Sequence, residues 1–257
     1  METTHQIFDI SKFKIHCSNC NLAELCLPWG LEINELEEFE KIIKHLRPLQ
    51  KGEYLFHAGD KFQQLHAVRS GAGAVKAYKT TEDGNEQILG FYLPGELLGL
   101  DAIDNMEHIC TTVALETSSF CAIPFSRLEE LCHKIPNLQR QMYRLMSREL
   151  SAENESLLLL SKKSAEGKMT TFIINLSVRL HNLGYSAVEF RLPMSRQEIG
   201  NYLGLTVETV SRIFNRLQRD EVISIDRKLI KINDLAGLRR MCAGRKDNGD
   251  DTTAITD

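Results

Sequence analysis

No run of apolar residues in this 257-residue chain approaches the roughly 18–20 needed to cross a bilayer as a helix. The longest aliphatic run, Leu157 to Leu160, is far too short. The opening residues, Met-Glu-Thr-Thr-His-Gln, lack the basic start and apolar stretch of a secretion signal. Both absences predict a cytoplasmic protein with no membrane partner. Catalytic signatures are lacking too. There is no P-loop and no G-x-G-x-x-G. The eight histidines are scattered, with none paired at metal-ligand spacing and no Ser/His/Asp grouping. The chain does not read as an enzyme. A surplus of positive charge is also missing: the net charge is −4, against a globally basic nucleic-acid binder.

What the chain does have is cysteine in one place. Its length suggests one large domain or two smaller ones, and 42% apolar content is enough to bury a sizeable core. Seven cysteines in a cytosolic chain favour metal or redox chemistry over disulfides. Three of them, Cys17, Cys20 and Cys26, are spaced C-x2-C-x5-C. Thiols this close can all reach one metal centre from a single loop. A tetrahedral or cubane centre then needs a fourth ligand from elsewhere in the fold.

Charge is unevenly spread. Between Arg191 and Lys231 there are eight Arg or Lys against five Asp or Glu, so the segment carries +3 and the rest of the chain −7. That asymmetry suits a DNA-reading module joined to an acidic sensor.

Periodicity divides the chain further. Asn34 to Leu46 reads as an amphipathic helix capped by Asn34, with Leu36, Phe39, Ile42, Ile43 and Leu46 at helical spacing. From about Pro48 to Pro124, short runs such as Tyr54-Leu-Phe, Leu65-His-Ala-Val and Ala74-Val-Lys-Ala-Tyr alternate with turn signals, as in a compact β-barrel or roll. Pro136 then fits the first turn of a long helix reaching about Ser161, roughly 40 Å at 1.5 Å per residue. Its stripe of Leu138, Met142, Leu145, Met146 and Leu150 is followed by four leucines, so its C-terminal part is apolar on more than one face. A second copy of the chain is the simplest way to bury such a helix. The polar patch Ser161 to Lys168 reads as a boundary, Met169 to His181 as another helix, and the last residues as a disordered acidic tail.

Met194 to Asp220 reads as helix-turn-helix. Ser195 and Glu198 form a capping box, Gly204 breaks the first helix, and Thr206 caps a second over Val207–Arg219. Ile199, Leu203, Leu205, Val210, Ile213, Phe214 and Leu217 make the shared core. Glu208, Ser211, Arg212 and Arg216 occupy the opposite face, and residues 223–232 alternate as a hairpin wing. In a major groove, Arg212 can donate twice to guanine, Glu208 can accept from cytosine N4, and Ser211 can serve several base edges. Arg196, Arg216 and Lys228 suit phosphates. Val207, at the start of the second helix, completes the candidate DNA-binding set.

At this point the chain resembles the fumarate–nitrate reductase regulator family, the oxygen-sensing branch of the cyclic AMP receptor protein superfamily. The resemblance runs from about Ile15 to Asp234. It is carried by Cys17-Ser-Asn-Cys20 with Cys26, Leu115 to Phe125 around Cys121, Leu157 to Lys163, and Ile199 to Arg212. It implies an α+β fold: a cysteine-rich cluster-binding segment (1–30), a cyclic-nucleotide-binding-like β-roll sensor (31–135), a dimerisation helix (136–162), a winged helix-turn-helix (163–240) and the acidic tail (241–257).

The resemblance further implies one 4Fe–4S cluster per subunit, held by Cys17, Cys20, Cys26 and a fourth cysteine. Cys110 and Cys121 compete for that place. Cys121 is chosen because the family's fourth ligand lies just before an Ile-Pro-Phe. Oxygen would convert the cluster to 2Fe–2S and dissolve the dimer. Half-sites of the TTGAT type in a palindrome, regulation of anaerobic genes, and a contact with RNA polymerase through Glu82, Asp83, Gly84, Asn85 and Glu86 follow from the same resemblance. Glu153 stands where the family carries an acidic residue on the dimer helix, with Leu150 one turn earlier. Facing its twin, Glu153 would make dimerisation marginal.

Two alternatives stay open: a structural zinc site on four thiolates, and a thiol–disulfide sensor using Cys17 and Cys20. Cyclic-nucleotide binding is not expected. Gly95-Glu-Leu-Leu-Gly-Leu resembles the start of that phosphate cassette, but Ile109 stands where an arginine is needed and no Lys or Arg lies between Gly95 and Phe120.

Overall fold

The computed structural model describes residues 17–70 and 75–242. The stretch 1–16, Ala74 of the third strand run and tail residues 243–257 lie outside the described residues. Two compact units divide between Ala152 and Glu153.

The first unit opens on a 3-10 turn at Cys17–Asn19, then helix α1 (Ile33–Ile42). Eight strands follow among the described residues: β1 (Lys44–His45), β2 (Tyr54–Phe56), β3 (Gln64–Ser70), β4 (Val75–Thr80), β5 (Glu86–Tyr92), β6 (Leu97–Leu98), β7 (Thr111–Ala114) and β8 (Ser119–Pro124). They form two antiparallel four-stranded sheets, ordered β1-β8-β3-β6 and β2-β7-β4-β5. Helix α1 is shorter than its periodicity suggested. It starts after Glu32, whose N–H donates to the Glu35 carboxylate at 2.9 Å. It stops at Ile42 because the next residues join the sheet: His45 pairs with Cys121, and the Leu46 N–H donates to the Phe120 carbonyl at 3.1 Å.

Between the sheets lie Phe56, Val68, Val75, Ala77, Leu98 and Phe120. Strands β3 and β8 are buried on both faces, so their alternate residues point away from that core. Leu65, Ala67 and Ile123 meet Phe39 of α1, Leu128 and Leu131 of α2 (Phe125–Lys134), and Leu138 and Met142 of α3 (Pro136–Lys162). Cys121, between Phe120 and Ala122, therefore lies on this outer, helix-covered side.

The second unit begins within α3 and continues with α4 (Ala165–Asn182), β9 (Glu189–Arg191), α5 (Arg196–Leu203), α6 (Val207–Arg219), β10 (Ile223–Asp226), β11 (Leu229–Ile232) and α7 (Leu235–Cys242). Helix α4 starts earlier than Met169 because the Ser164 hydroxyl accepts from the Gly167 N–H at 3.2 Å. Most of the polar patch 161–168 is therefore helical. Strand β9, whose three residues are too few to show alternation in the sequence, pairs beside the β10–β11 hairpin. Among the described residues, no helix is long and apolar enough to cross a membrane.

Candidate cysteine centre and nucleic-acid interface

The cysteine segment is seated from three directions. Leu27, fully buried, enters the cluster formed with α1, α2 and α3. The Ser18 N–H donates to Glu40 Oε1 on α1 at 3.2 Å. On α3, Gln141 Nε2 donates to the Cys26 carbonyl at 3.2 Å, and the Arg144 guanidinium lies 4.1 Å from the Trp29 ring centroid. Gly95, in the turn between β5 and β6, has φ +90°, and a Cβ there would come within 3.0 Å of Leu25. That approach requires glycine for both reasons.

Cys17, Cys26 and Cys121 rest on the same apolar cluster. Burial pushes the Cys17 thiol up to about 12, reinforced by the neighbouring Cys26 and Cys121. Cys26 also rises to about 12 through burial, opposed by a backbone hydrogen bond from Leu27 and reinforced by Cys121 and Cys20. Cys121 rises to about 11 through burial, with Arg69 pulling the other way and Cys20 adding repulsion. Four thiols thus share one electrostatic neighbourhood in which their thiolates repel one another. A cationic metal centre relieves that repulsion, so the donor chemistry fits one. All seven cysteines are free. Among the described residues no three His, Cys, Asp or Glu side chains are close enough together to hold a metal ion. Cys110 lies elsewhere, buried between the sheets, with Sγ donating to Asp101 Oδ2 at 3.5 Å.

The helix-turn-helix is built as its sequence suggests. Ser195 Oγ accepts from the Glu198 N–H at 3.2 Å while Glu198 Oε2 accepts from the Ser195 N–H at 2.8 Å. Gly204 adopts φ 63°, and Thr206 Oγ1 accepts from the Thr209 N–H at 3.2 Å. Gly200 has a role the sequence did not reveal: a Cβ there would lie 2.6 Å from the Leu205 carbonyl oxygen. Ile199, Leu203, Val210, Ile213, Phe214 and Leu217 are buried, and Leu205 is half-buried. Val207, Glu208, Arg212 and Arg216 are exposed, with Ser211 half-buried.

A groove of about 980 Å³ runs beside α6, lined by Glu208, Ser211, Arg212, Arg216 and the start of α4. Arg216 is not free in it: the guanidinium pairs with Glu166 at 3.0 Å and with Asp220 at 3.5 Å. The Arg196 guanidinium lies 5.5 Å from the Phe214 ring centroid, and Lys228 Nζ donates to the Pro193 carbonyl at 3.0 Å.

Two residues of α3 expected at a dimer seam are covered within the first unit itself. Met142 is in the core of the first unit and Leu145 packs against it, because that face meets the cysteine segment. The exposed apolar residues are Tyr143, Met146, Leu150, Leu157 and Leu158. Tyr143, Met146, Leu150 and Leu157 fall at heptad a and d positions, a spacing that was readable in the sequence, and exposed Glu153 occupies a d position among them. The 82–86 turn is exposed and closes through Gly84 N–H to the Thr81 carbonyl at 2.9 Å. Glu86 is tied to Lys76 at 3.2 Å. Where a cyclic phosphate would need a cation, Ile109 donates its N–H to Asp101 Oδ2 at 3.1 Å.

These features define a class: a β-roll sensor carrying a Crp-like DNA-reading unit. The cyclic nucleotide-binding domain family matches residues 46–134, and the Crp-like helix-turn-helix domain family matches 167–241. The chain is 49% identical to the transcriptional activator protein Anr of Pseudomonas protegens, over 89% of this chain and 93% of that protein. It is 47% identical to the fumarate and nitrate reduction regulatory protein of Yersinia pestis, over 91% and 93%. Among solved structures, FixK2 from Bradyrhizobium japonicum aligns with a TM-score of 0.71 and 28% identity, over 78% of this chain and 97% of that one. The chain belongs to the fumarate–nitrate reductase regulator family of the cyclic AMP receptor protein superfamily. This is a family of transcriptional regulators, not of enzymes.

Proposed function

We propose that this protein is a cytoplasmic, oxygen-responsive regulator of anaerobic genes, dimeric and DNA-bound while a 4Fe–4S cluster is held by Cys17, Cys20, Cys26 and Cys121. The reading rests above all on one observation: Cys121, distant in sequence from Cys17 and Cys26, packs with them on a single apolar cluster beneath α3. When bound, the cluster supplies an oxygen-labile centre that favours four thiolates in a pocket otherwise resisting them. The chain's own residues do the rest. Leu27 and Leu25 anchor the segment, and α3 covers it.

Two copies pair along Tyr143, Met146, Leu150 and Leu157, with Glu153 opposing its twin so that the association is weak. Each α6 then enters one half of a TTGAT-type palindrome. Arg212 donates to guanine, Glu208 accepts from cytosine, and Ser211 meets a third base edge. Val207 contacts the base edges from the helix start, while Arg196 and Lys228 hold phosphate. Arg216 does so after leaving Glu166. The exposed turn formed by Glu82, Asp83, Gly84 and Asn85, bounded by Glu86, is offered to RNA polymerase.

The test is purification without air, with iron and sulfide assayed before oxygen is admitted. A brown protein with about four irons per chain that bleaches and dissociates on oxygen supports the reading. A colourless protein with one tight zinc removes oxygen sensing and leaves DNA binding standing.

A further inference from the structure

Gln141 does not behave as a core residue. It is 4% exposed on α3, beside Leu138, Met142 and Leu145, where an apolar side chain would complete the cluster. Its Oε1 is buried without a hydrogen-bond partner, a cost that an apolar residue would avoid. Its Nε2 makes one bond, at 3.2 Å, to the main-chain carbonyl of Cys26. One turn on, Arg144 covers the ring of Trp29, three residues past Cys26. Two neighbouring positions on α3 thus grip both ends of the stretch from Cys26 to Trp29.

The same helical turns carry the exposed stripe. At about 100° per residue, Tyr143, Met146 and Leu150 lie roughly 140° around α3 from the face bearing Leu138, Gln141 and Leu145. A rigid helix that follows the Cys26 carbonyl through Gln141 must rotate or translate that stripe by the same amount.

We propose that Gln141 is a positioning residue that couples the backbone of a cluster ligand to the dimer seam of α3. This rests on the function proposed above. Gln141 touches neither metal nor DNA. It acts by holding α3 in the orientation that the cysteine segment dictates, and its single polar bond is the link that breaks when the segment moves.

The test uses full-length wild type and Gln141→Met, a substitution close in volume that removes the donor, both purified without air. Iron and sulfide per chain are measured first, then the dimer fraction by sedimentation across a concentration series, with and without the cluster. The expected result is unchanged iron content with at least a tenfold weaker dimer in the loaded variant, and unchanged behaviour of the cluster-free chains. A loaded variant that dimerises like wild type overturns the coupling. So does a variant that has lost its iron, because Gln141 would then be holding the ligand segment alone.

A second measurement needs no variant. Hydrogen exchange of the wild-type peptide covering residues 138–150 must quicken when the cluster is removed, and equal exchange in both states overturns the proposal. A wild type that carries no iron, or dimerises equally with and without it, overturns the functional reading itself and the coupling with it.

Discussion

Gly200 and Arg212 are separated by little more than three helical turns of chain, yet they fail in different ways. A methyl at Gly200 would sit 2.6 Å from the backbone oxygen of Leu205, and a carbonyl held in the turn cannot retreat as a flexible side chain can. Gly200→Ala should cost about 1–3 kcal/mol, read as a lower unfolding midpoint in denaturant with the slope unchanged. An unchanged midpoint would show that the turn between α5 and α6 relaxes freely. Arg212 is exposed, and none of the fold's ion pairs among the described residues depends on it. Arg212→Ala should leave the unfolding midpoint where it is. It should weaken binding to a TTGAT palindrome by about 1–3 kcal/mol while binding to a scrambled duplex is kept. Equal losses on both duplexes would make Arg212 a phosphate contact instead.

Helix α3 shows where periodicity informs and where it misleads. Its length, its start at Pro136 and its surplus of apolar residues were legible in the sequence, as were α6 and the wing hairpin, because capping residues and alternation are local signals. Which of its apolar stripes faces the protein was not. Met142 and Leu145 are as apolar as Met146 and Leu150, and only the docked cysteine segment decides between them. The end of α1 failed for the same reason, since the pairing of β1 with β8 is long-range.

The proposed seam sharpens an expectation. Leu150 is 61% exposed with Glu153 one turn later at the next seam position. Leu150→Glu would place a second like charge opposite its twin and should leave the protein monomeric even with its cluster intact. Glu153→Ala removes the repulsion and should give dimer in cluster-free protein. A Glu153→Ala chain that stays monomeric without its cluster would assign that residue to solvent. Both are read by sedimentation of air-exposed and anaerobic samples.

The two compact units differ in what acid does to them. His66 and His108 are buried in the first unit, each with Nδ1 unpartnered and each beside the ring of Phe56. Burial, reinforced by His108, lowers His66 to about 4, and burial lowers His108 as well, against the pull of Asp101 and Asp60. Unfolding releases both imidazoles to the ordinary value of about 6.5. Above that pH neither state binds the protons, and the stability of the unit is at its full value. As the pH falls from about 6.5 towards 4, the unfolded chain takes up protons that the folded chain refuses, so stability is lost through that window. His66 alone accounts for roughly 3 kcal/mol across it.

The second unit has a single histidine among its described residues, His181, which is exposed, and so holds no buried imidazole there. Trp29, the one tryptophan of the chain, belongs to the first unit and reports on it selectively. In cluster-free protein, the denaturant midpoint followed by Trp29 fluorescence should therefore drop between pH 7 and pH 5. The helical signal at 222 nm should separate into two transitions, the one that does not follow Trp29 moving far less. His66→Phe, which removes the titrating ring and keeps its stacking surface, should flatten most of the dependence. If both transitions shifted together, or the variant kept the full slope, acid sensitivity would have to come from the carboxylates rather than from the interior of the β-roll.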